Sequence, residues 1–318
     1  MSRASEPGDV VRIESAEAIT SDVWGREARE RGESDEWQLR YWQSHPVTAR
    51  HINRLITGDE DESWLAFAGR RFLPEGADHG LSLGCGHGWT ERDAVQLGIC
   101  RSFDALDISE EALEVARRQA RESGLHGRIL YRQADLNSVE LEPDVYDVVI
   151  ASQVLHHVHA LEHLLDQVVA ALSPGGLFIV NEYVGPARFQ WLDKTQVLMN
   201  RMLELLPEEL RVNPVNGRIK ETLKRASAEE IARADPSESI RSDEIVEVLR
   251  PRFETLYRAD FGGTLLQFLL ADIAANFRLD DPKDVALLDL MSLFEEVLIT
   301  ERVIPSDFAM FVLKAGRA

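Results

Sequence analysis

The chain has 318 residues, 44% hydrophobic and 28% charged, the composition of a globular protein with one large domain or a domain carrying a substantial insertion. Its 55 acidic against 35 basic residues leave a formal charge of -20, a surface that repels phosphate backbones and disfavours a nucleic-acid substrate. Two cysteines, Cys85 and Cys100, give no disulfide framework and no zinc set, and no apolar run reaches the roughly 20 residues of a membrane span.

Residues 1–20 read as a polar, flexible N-terminus without the apolar core of a signal peptide, so the expected compartment is the cytoplasm. Residues 21–75 read as N-terminal helices. Trp37, Leu39, Tyr41, Trp42, Val47, Ile52 and Leu55, interrupted by His45-Pro46, predict one or two of them, and Glu62–Phe72 predicts another. Trp37, Tyr41, Trp42 and His45 either line a lid or anchor these helices.

A regular alternation begins near residue 76 and runs to 185. The strand Gly80–Leu83 ends in glycines at 84, 86 and 88, so the backbone there can approach a ligand closely. Cys85 fits this turn as a small filler. Thr90–Leu97 reads as a helix, Ser102–Leu106 as a strand, and Ser109–Ser123 as a helix capped by Ser109. Arg128–Gln133 and the continuous apolar run Val145–Ser152 are strands, and Leu161–Leu172 is a helix stopped by Ser173-Pro-Gly-Gly176. Leu177–Glu182 follows as a fifth strand. Strands alternating with helices predict an α/β fold with a doubly wound, mostly parallel sheet.

The pattern then breaks. Residues 186–245 read as a helical cap insertion, clearest at Gln196–Leu206 and Ser227–Ala234. Residues 246–318 read as the end of the core sheet with a two-helix insertion: strand Arg252–Ala259, helices Thr264–Phe277 and Pro282–Ile299, and a last strand Ser306–Lys314. The helical pieces are expected to pack above the ligand edge of the sheet with the N-terminal helices. Phe189 and Trp191 join the candidates for lining that cap.

In an open parallel sheet, ligands bind beyond the carboxyl ends of the strands, where strand order reverses. Four features fall at such ends: the glycine turn, Asp107, Ala134-Asp135-Leu136, and Ala151-Ser-Gln-Val-Leu-His-His-Val158. A carboxylate at Asp107 can accept one hydroxyl of a ribose on each oxygen. Trp89 stands where a nicotinamide fingerprint places its third glycine, and no second nucleotide-binding half follows. Both observations count against a nicotinamide-dependent oxidoreductase.

With these pieces in order, the sequence resembles the class I S-adenosylmethionine-dependent methyltransferases, in a bacterial small-molecule subgroup. The matching runs are Leu81-Ser-Leu-Gly-Cys-Gly-His-Gly88, Leu106-Asp-Ile-Ser109, Ala134-Asp135, Tyr146-Asp-Val-Val149 with Leu155-His-His157, and Leu172-Ser-Pro-Gly-Gly176. The resemblance covers residues 80–182. It implies S-adenosylmethionine as cofactor and a seven-stranded Rossmann-like sheet whose last strand is antiparallel. It implies that Leu83, Gly84, Cys85, Gly86 and Gly88 meet the methionine moiety and that Asp107 with Ile108 holds the ribose. Asp135 and Leu136 would hold the adenine, and Ser152 and Gln153 would approach the methionine end.

Transfer requires an acceptor aligned with the methyl group and, for a hydroxyl or amine, removal of a proton. His157, His156, Glu182 and Tyr183 are the candidates, all following strands four and five. Some quinone O-methyltransferases carry acids in this segment that suit a metal. Gln153 and His156 stand in their places here, so no metal is expected. The expected activity is methylation of a small molecule, first O-methylation of a sugar or secondary metabolite. The alternatives are N- or C-methylation, a protein that binds the cofactor without turnover, and the oxidoreductase.

Overall fold

Strand order decides where this sheet opens for a ligand. The computed structural model describes residues 15–33 and 41–316. Its strands are β1 (Ala77–Leu83), β2 (Cys100–Asp107), β3 (Ile129–Gln133), β4 (Tyr146–Ser152), β5 (Leu172–Tyr183), β6 (Phe253–Gly262) and β7 (Phe308–Ala315). They form one sheet in the order β3-β2-β1-β4-β5-β7-β6, with β7 alone antiparallel to its neighbours. The chain winds outward from β1 to β3 and restarts on the other side at β4, so the crevice opens between β1 and β4. Register pairs Leu83 with Leu106 on one side and with Ala151 on the other. The glycine turn therefore leaves the sheet between Asp107 and Ser152.

Both faces of the sheet are covered, which is why β4 is apolar without alternation. On one face α3 (Trp64–Phe72), α4 (Trp89–Gln96) and α5 (Glu110–Glu122) bury Leu65, Ala94, Leu113 and Ala116 against Phe103, Ile150 and Ile179. Gly80 belongs to this layer, because a Cβ there would strike the Phe103 ring. On the other face α6 (Leu161–Ala171) and α9 (Ile245–Leu249) bury Leu161, Leu165, Val168 and Ile245 against Val149, Phe178 and Val180. Ser109 caps α5 through a bond from Ala112 N–H to its Oγ, with Glu110 and Glu111 in the first turn.

The expected cap is built from two insertions and an N-terminal helix. Between β5 and β6 lie α7 (Asp193–Leu205) and α8 (Ala228–Ala234); between β6 and β7 lie α10 (Leu266–Leu270) and α11 (Pro282–Thr300). Trp191, Met199, Leu265 and Ile304 form a small buried cluster that joins the two insertions. Trp42 and His45 are buried, and His45 Nε2 meets the Phe277 carbonyl at 2.9 Å, so they anchor α2 (Pro46–Thr57) and line no lid. No helix of the described residues is long and apolar enough to cross a membrane.

Three elements differ from the sequence expectation. β5 starts at Leu172, five residues early. Ser173–Gly176 bulges out of the ladder between the pairs Tyr146–Leu172 and Val148–Leu177, with Gly175 at φ +92 and Ser173 Oγ donating to Asp147 at 2.9 Å. The helix expected over 264–277 stops at Leu270 and resumes as a 3-10 turn at Ala274–Asn276, across Asp272 at φ +64. Half-buried Lys220 takes the carbonyls of Phe268 (2.7 Å) and Ala271 (2.8 Å), ending the helix with a cation. Finally, α1 (Ala16–Glu33) begins inside the segment expected to be flexible, while residues 1–14 and Trp37 lie outside the described residues.

One acid is buried in the layer beneath the glycine turn. Glu91 of α4 is 0% exposed. Ser82 Oγ donates to its Oε2 at 3.2 Å, while its Oε1 and the Tyr131 hydroxyl both lie beneath Gly88. Burial pushes the Glu91 carboxyl up to about 7. The folded chain thus keeps a proton that the unfolded chain releases above pH 4.5, so stability falls as pH rises from 4.5 through about 7. Between pH 5 and 8 the wild-type chain should lose about 2–3 kcal/mol more than Glu91→Gln, measured by urea unfolding at both pH values. Equal losses in the two proteins would show that Glu91 ionises freely in the fold.

Candidate active site

The three glycines of the turn do different work. All have positive φ: +58 at Gly84, +52 at Gly86 and +79 at Gly88. A Cβ on Gly84 would strike Val154, and one on Gly88 would meet the Tyr131 hydroxyl and Glu91. A Cβ on Gly86 would meet nothing within 4 Å. Gly84 and Gly88 are thus fixed by packing, and Gly86 presents bare backbone to open space. Cys85 is buried, and burial pushes its thiol well above the usual range, which suits a filler.

Asp107 ends β2 beside this opening. Its Oδ2 accepts the Gly86 N–H at 2.8 Å and its Oδ1 accepts the Ser109 N–H at 2.9 Å. Burial raises its pKa, and these backbone donors oppose the rise. Each oxygen of a carboxylate has two acceptor positions, so each keeps one for a ribose hydroxyl. This geometry fits the cofactor that the resemblance implies. Ile108 follows, half-buried, and its carbonyl accepts from Gln133 Nε2 at 2.9 Å.

Across the turn, Asp135 accepts Asn137 N–H and Nδ2 on Oδ1, both at 2.9 Å, and Leu136 is buried beside it. Asn137 Oδ1 in turn accepts the amides of His159 (3.0 Å) and Ala160 (3.2 Å), tying the loop after β3 to the segment after β4. Nothing in the sequence singled out Asn137. Ser152 ends β4 half-buried, and Gln153 takes a left-handed conformation, φ +56, with its amide N–H on the Asn181 carbonyl at 2.8 Å. A non-glycine residue in that region stores strain of about 1–3 kcal/mol, and such strain concentrates at functional turns.

The candidate catalytic residues come together around the 3-10 turn Leu155–His157. Glu182, fully buried near the end of β5, accepts Val154 N–H (2.9 Å) and Leu155 N–H (2.6 Å) on Oε2. Its Oε1 takes Tyr183 N–H (2.6 Å) and His156 Nδ1 (2.5 Å). Its acceptor positions are filled, so its role here is to hold the turn and orient His156. Burial works against a charge on His156, but Glu182, Glu238 and Asp235 together hold its pKa above the ordinary value. For His157, burial and the neighbouring His156 charge hold the ring well below that value, keeping it neutral. Tyr183 is buried, its hydroxyl donating to the Pro186 carbonyl at 3.1 Å and its ring packed on Phe189 and Phe308.

Two distant segments complete this cluster; the sequence pattern placed cap helices over the ligand edge but singled out none of the residues that reach the histidines. The cap loop Asp235–Ser239 brings Ser237 Oγ to 3.1 Å from His157 Nδ1 and Glu238 Oε1 to 3.7 Å from His156 Nε2. Arg188 clamps that loop, its guanidinium donating to the carbonyls of Pro236 (2.7 Å) and Glu238 (2.8 Å). Helix α1 covers the crevice from the other side. Ser21 Oγ donates to the Ile108 carbonyl at 3.4 Å, Arg29 pairs with Glu111, and the Trp24 ring stands edge-on to His157 at 4.6 Å. The lone aromatic of that helix, flanked by Thr20 and Ser21, was its available signal. Two surface grooves of about 300 Å³, one along α7 and one beside Phe277, contain no residue of this cluster.

Comparison with known proteins finds a methyltransferase domain in the same part of the chain. A family model described as "Methyltransferase domain" matches residues 81–180. A malonyl-[acyl-carrier protein] O-methyltransferase of Halalkalibacterium halodurans is 28% identical over 131 residues, 40% of this chain and 47% of the relative. A ubiquinone/menaquinone biosynthesis C-methyltransferase UbiE of Vibrio vulnificus is 27% identical over 203 residues, 58% of this chain and 78% of the relative. A sterol 24-C-methyltransferase of Candida albicans is 29% identical over 104 residues, 33% of this chain and 27% of the relative. The chain thus spans about half of the first of these relatives and about a quarter of the third. A geranyl diphosphate methyltransferase solved with geranyl diphosphate and sinefungin shares the fold, with TM-score 0.50, 15% identity, 84% of this chain and 82% of that one. The glycine turn, the Asp107 carboxylate at the end of β2 and the strand order with β7 reversed accord with that match: residues 81–180 form a methyltransferase domain with the fold of the class I S-adenosylmethionine-dependent enzymes.

Proposed function

We propose that the chain transfers a methyl group from S-adenosylmethionine to a small-molecule acceptor, by O-methylation of a sugar or secondary metabolite. The observation that carries this reading is the Asp107 carboxylate, which holds one backbone N–H on each oxygen beside the open face of Gly86. The bound cofactor supplies an electrophilic methyl on a sulfonium. The chain's own groups then have three tasks. Leu83, Gly84, Cys85, Gly86 and Gly88, with Ser152 and Gln153, shape the methionine end. Asp107 and Ile108 fix the ribose, and Asp135 and Leu136 border the adenine.

The third task falls to the histidine pair. Glu182 orients His156 and holds the turn, so that neutral His157 offers a lone pair where an acceptor must lose its proton. That favours an acceptor hydroxyl or amine over an acceptor carbon. Tyr183 contributes through its ring, as a wall beside His156. The names of the relatives cover both oxygen and carbon methylation, so N- and C-methylation remain the alternatives within this reading. The net charge of -20 argues against a nucleic-acid acceptor.

Removing the ribose carboxylate in Asp107→Ala should weaken S-adenosylmethionine binding by about 10- to 100-fold, the value of one or two charged hydrogen bonds, read by titration calorimetry. Unchanged affinity would sink the ribose assignment. His157→Ala should leave that affinity within about threefold and lower turnover by roughly 10²–10⁴-fold, read as S-adenosylhomocysteine released with a panel of sugars and phenols. If affinity and turnover fell together, His157 would belong to the cofactor site instead.

A further inference from the structure

We propose that His156, His157 and Glu238 form a binding site for one divalent transition-metal cation. One ring nitrogen from each histidine and one Glu238 oxygen lie within 4.8 Å of one another. His156 Nε2 and Glu238 Oε1 are 3.7 Å apart, close to the spacing of about 3.3–3.5 Å that ligand atoms keep around a tetrahedral ion. Two imidazoles and a carboxylate suit zinc, cobalt, nickel or iron(II) rather than magnesium or calcium. Three protein donors also leave a coordination position open for water or an acceptor oxygen.

The surroundings are built as a metal site needs. His156 Nδ1 is held by Glu182 and His157 Nδ1 by Ser237, the arrangement that fixes an imidazole and leaves its other nitrogen to a ligand. A separate observation points to something missing from the cluster. His157 Nε2 and Asp235 Oδ2 are buried with no hydrogen-bond partner, and the Asp235 side chain is only 8% exposed. Buried polar atoms are otherwise nearly always paired. Asp235 and Glu238 face the Arg188 guanidinium, whose donors already go to loop carbonyls. The loop is fastened independently of any ion, through Arg188 N–H on Ser239 and Ile240 N–H on the His156 carbonyl. Gln153 takes no part, since its side-chain amide is turned to Asn181.

Such a site departs from the expectation of no metal, and its ligands lie in the turn after β4 and the cap. It also gives the His157 lone pair a second use: it holds the ion when a metal is bound and accepts a proton when none is. The test uses the tag-free full chain, stripped with a chelator. Titration with Co²⁺, followed by visible absorption, and with Zn²⁺, followed by calorimetry, should give one equivalent bound at about micromolar dissociation constant or tighter. Glu238→Gln and His157→Ala should each weaken binding at least about tenfold, while His126→Ala, at an exposed position outside the site, leaves it unchanged; retained S-adenosylmethionine binding verifies that each variant is folded. No stoichiometric binding, or equal affinity in all variants, would overturn the site. If His157→Ala loses turnover in a protein that binds no metal, the cation fails and the transfer reading stands. Metal binding without S-adenosylhomocysteine formation would be the reverse.

Discussion

The candidate active site depends on a single buried carboxylate. Glu182 draws three backbone amides and one imidazole to two oxygen atoms, and it ties the turn after β4 to the end of β5. A buried acid is tolerable only when its acceptor positions are filled, and here four donors fill them. Without it, Val154, Leu155 and Tyr183 would each hold a buried amide with no partner. The geometry of His156 follows from this anchor. The cap loop follows in turn, because Ile240 N–H is bound to the His156 carbonyl.

The crevice is then closed by segments that are remote in sequence. Helix α1 reaches from Ser109 and Glu111 at the start of α5 to His157, and Thr20 Oγ1 donates to Asp235 Oδ1 at 3.4 Å. Its contact with α5 is close because residue 25 is glycine, where a Cβ would strike Ser109 and Glu111. One helix therefore packs both on the residues that follow Asp107 and on the histidine pair. The cap loop approaches the same pair from the opposite end of the chain, held by Arg188. The surroundings of Asp107 and those of the histidine pair are joined through these two segments as much as through the sheet.

The core was legible because its signals are local. Glycine spacing, the apolar run of β4 and the Ser109 cap each act within a few residues, and their elements lie within two or three residues of expectation. Asp107 was legible for the same reason: position at a strand end determines what its carboxylate can face. The errors came where distant groups override local preference. Ser-Pro-Gly-Gly reads as a stop, yet the ladder resumes beyond a bulge stitched by Asp147. The run 264–277 reads as one helix, yet Lys220 from the other insertion ends it at Leu270. Asp235, Ser237 and Glu238 carry no motif at all. Only the fold brings them to the histidines.

The buried acids share one physical logic that sequence does not display. The carboxyl edge of a parallel sheet is crowded with turns and helix starts, whose amide N–H groups lack partners within their own elements. Asp107 takes the amides of Gly86 and Ser109, Glu182 those of Val154, Leu155 and Tyr183, and Glu295 those of Gly263, Leu265 and Leu266. Each carboxylate replaces a set of otherwise stranded donors at the point where the chain leaves a strand. Because the partners are backbone, no pattern of side-chain types announces them. At Asp107 the donors take one position per oxygen and leave room for a ligand; at Glu182 they take all of them. The same device thus yields a binding group in one place and a structural anchor in the other, and the count of free acceptor positions separates the two roles.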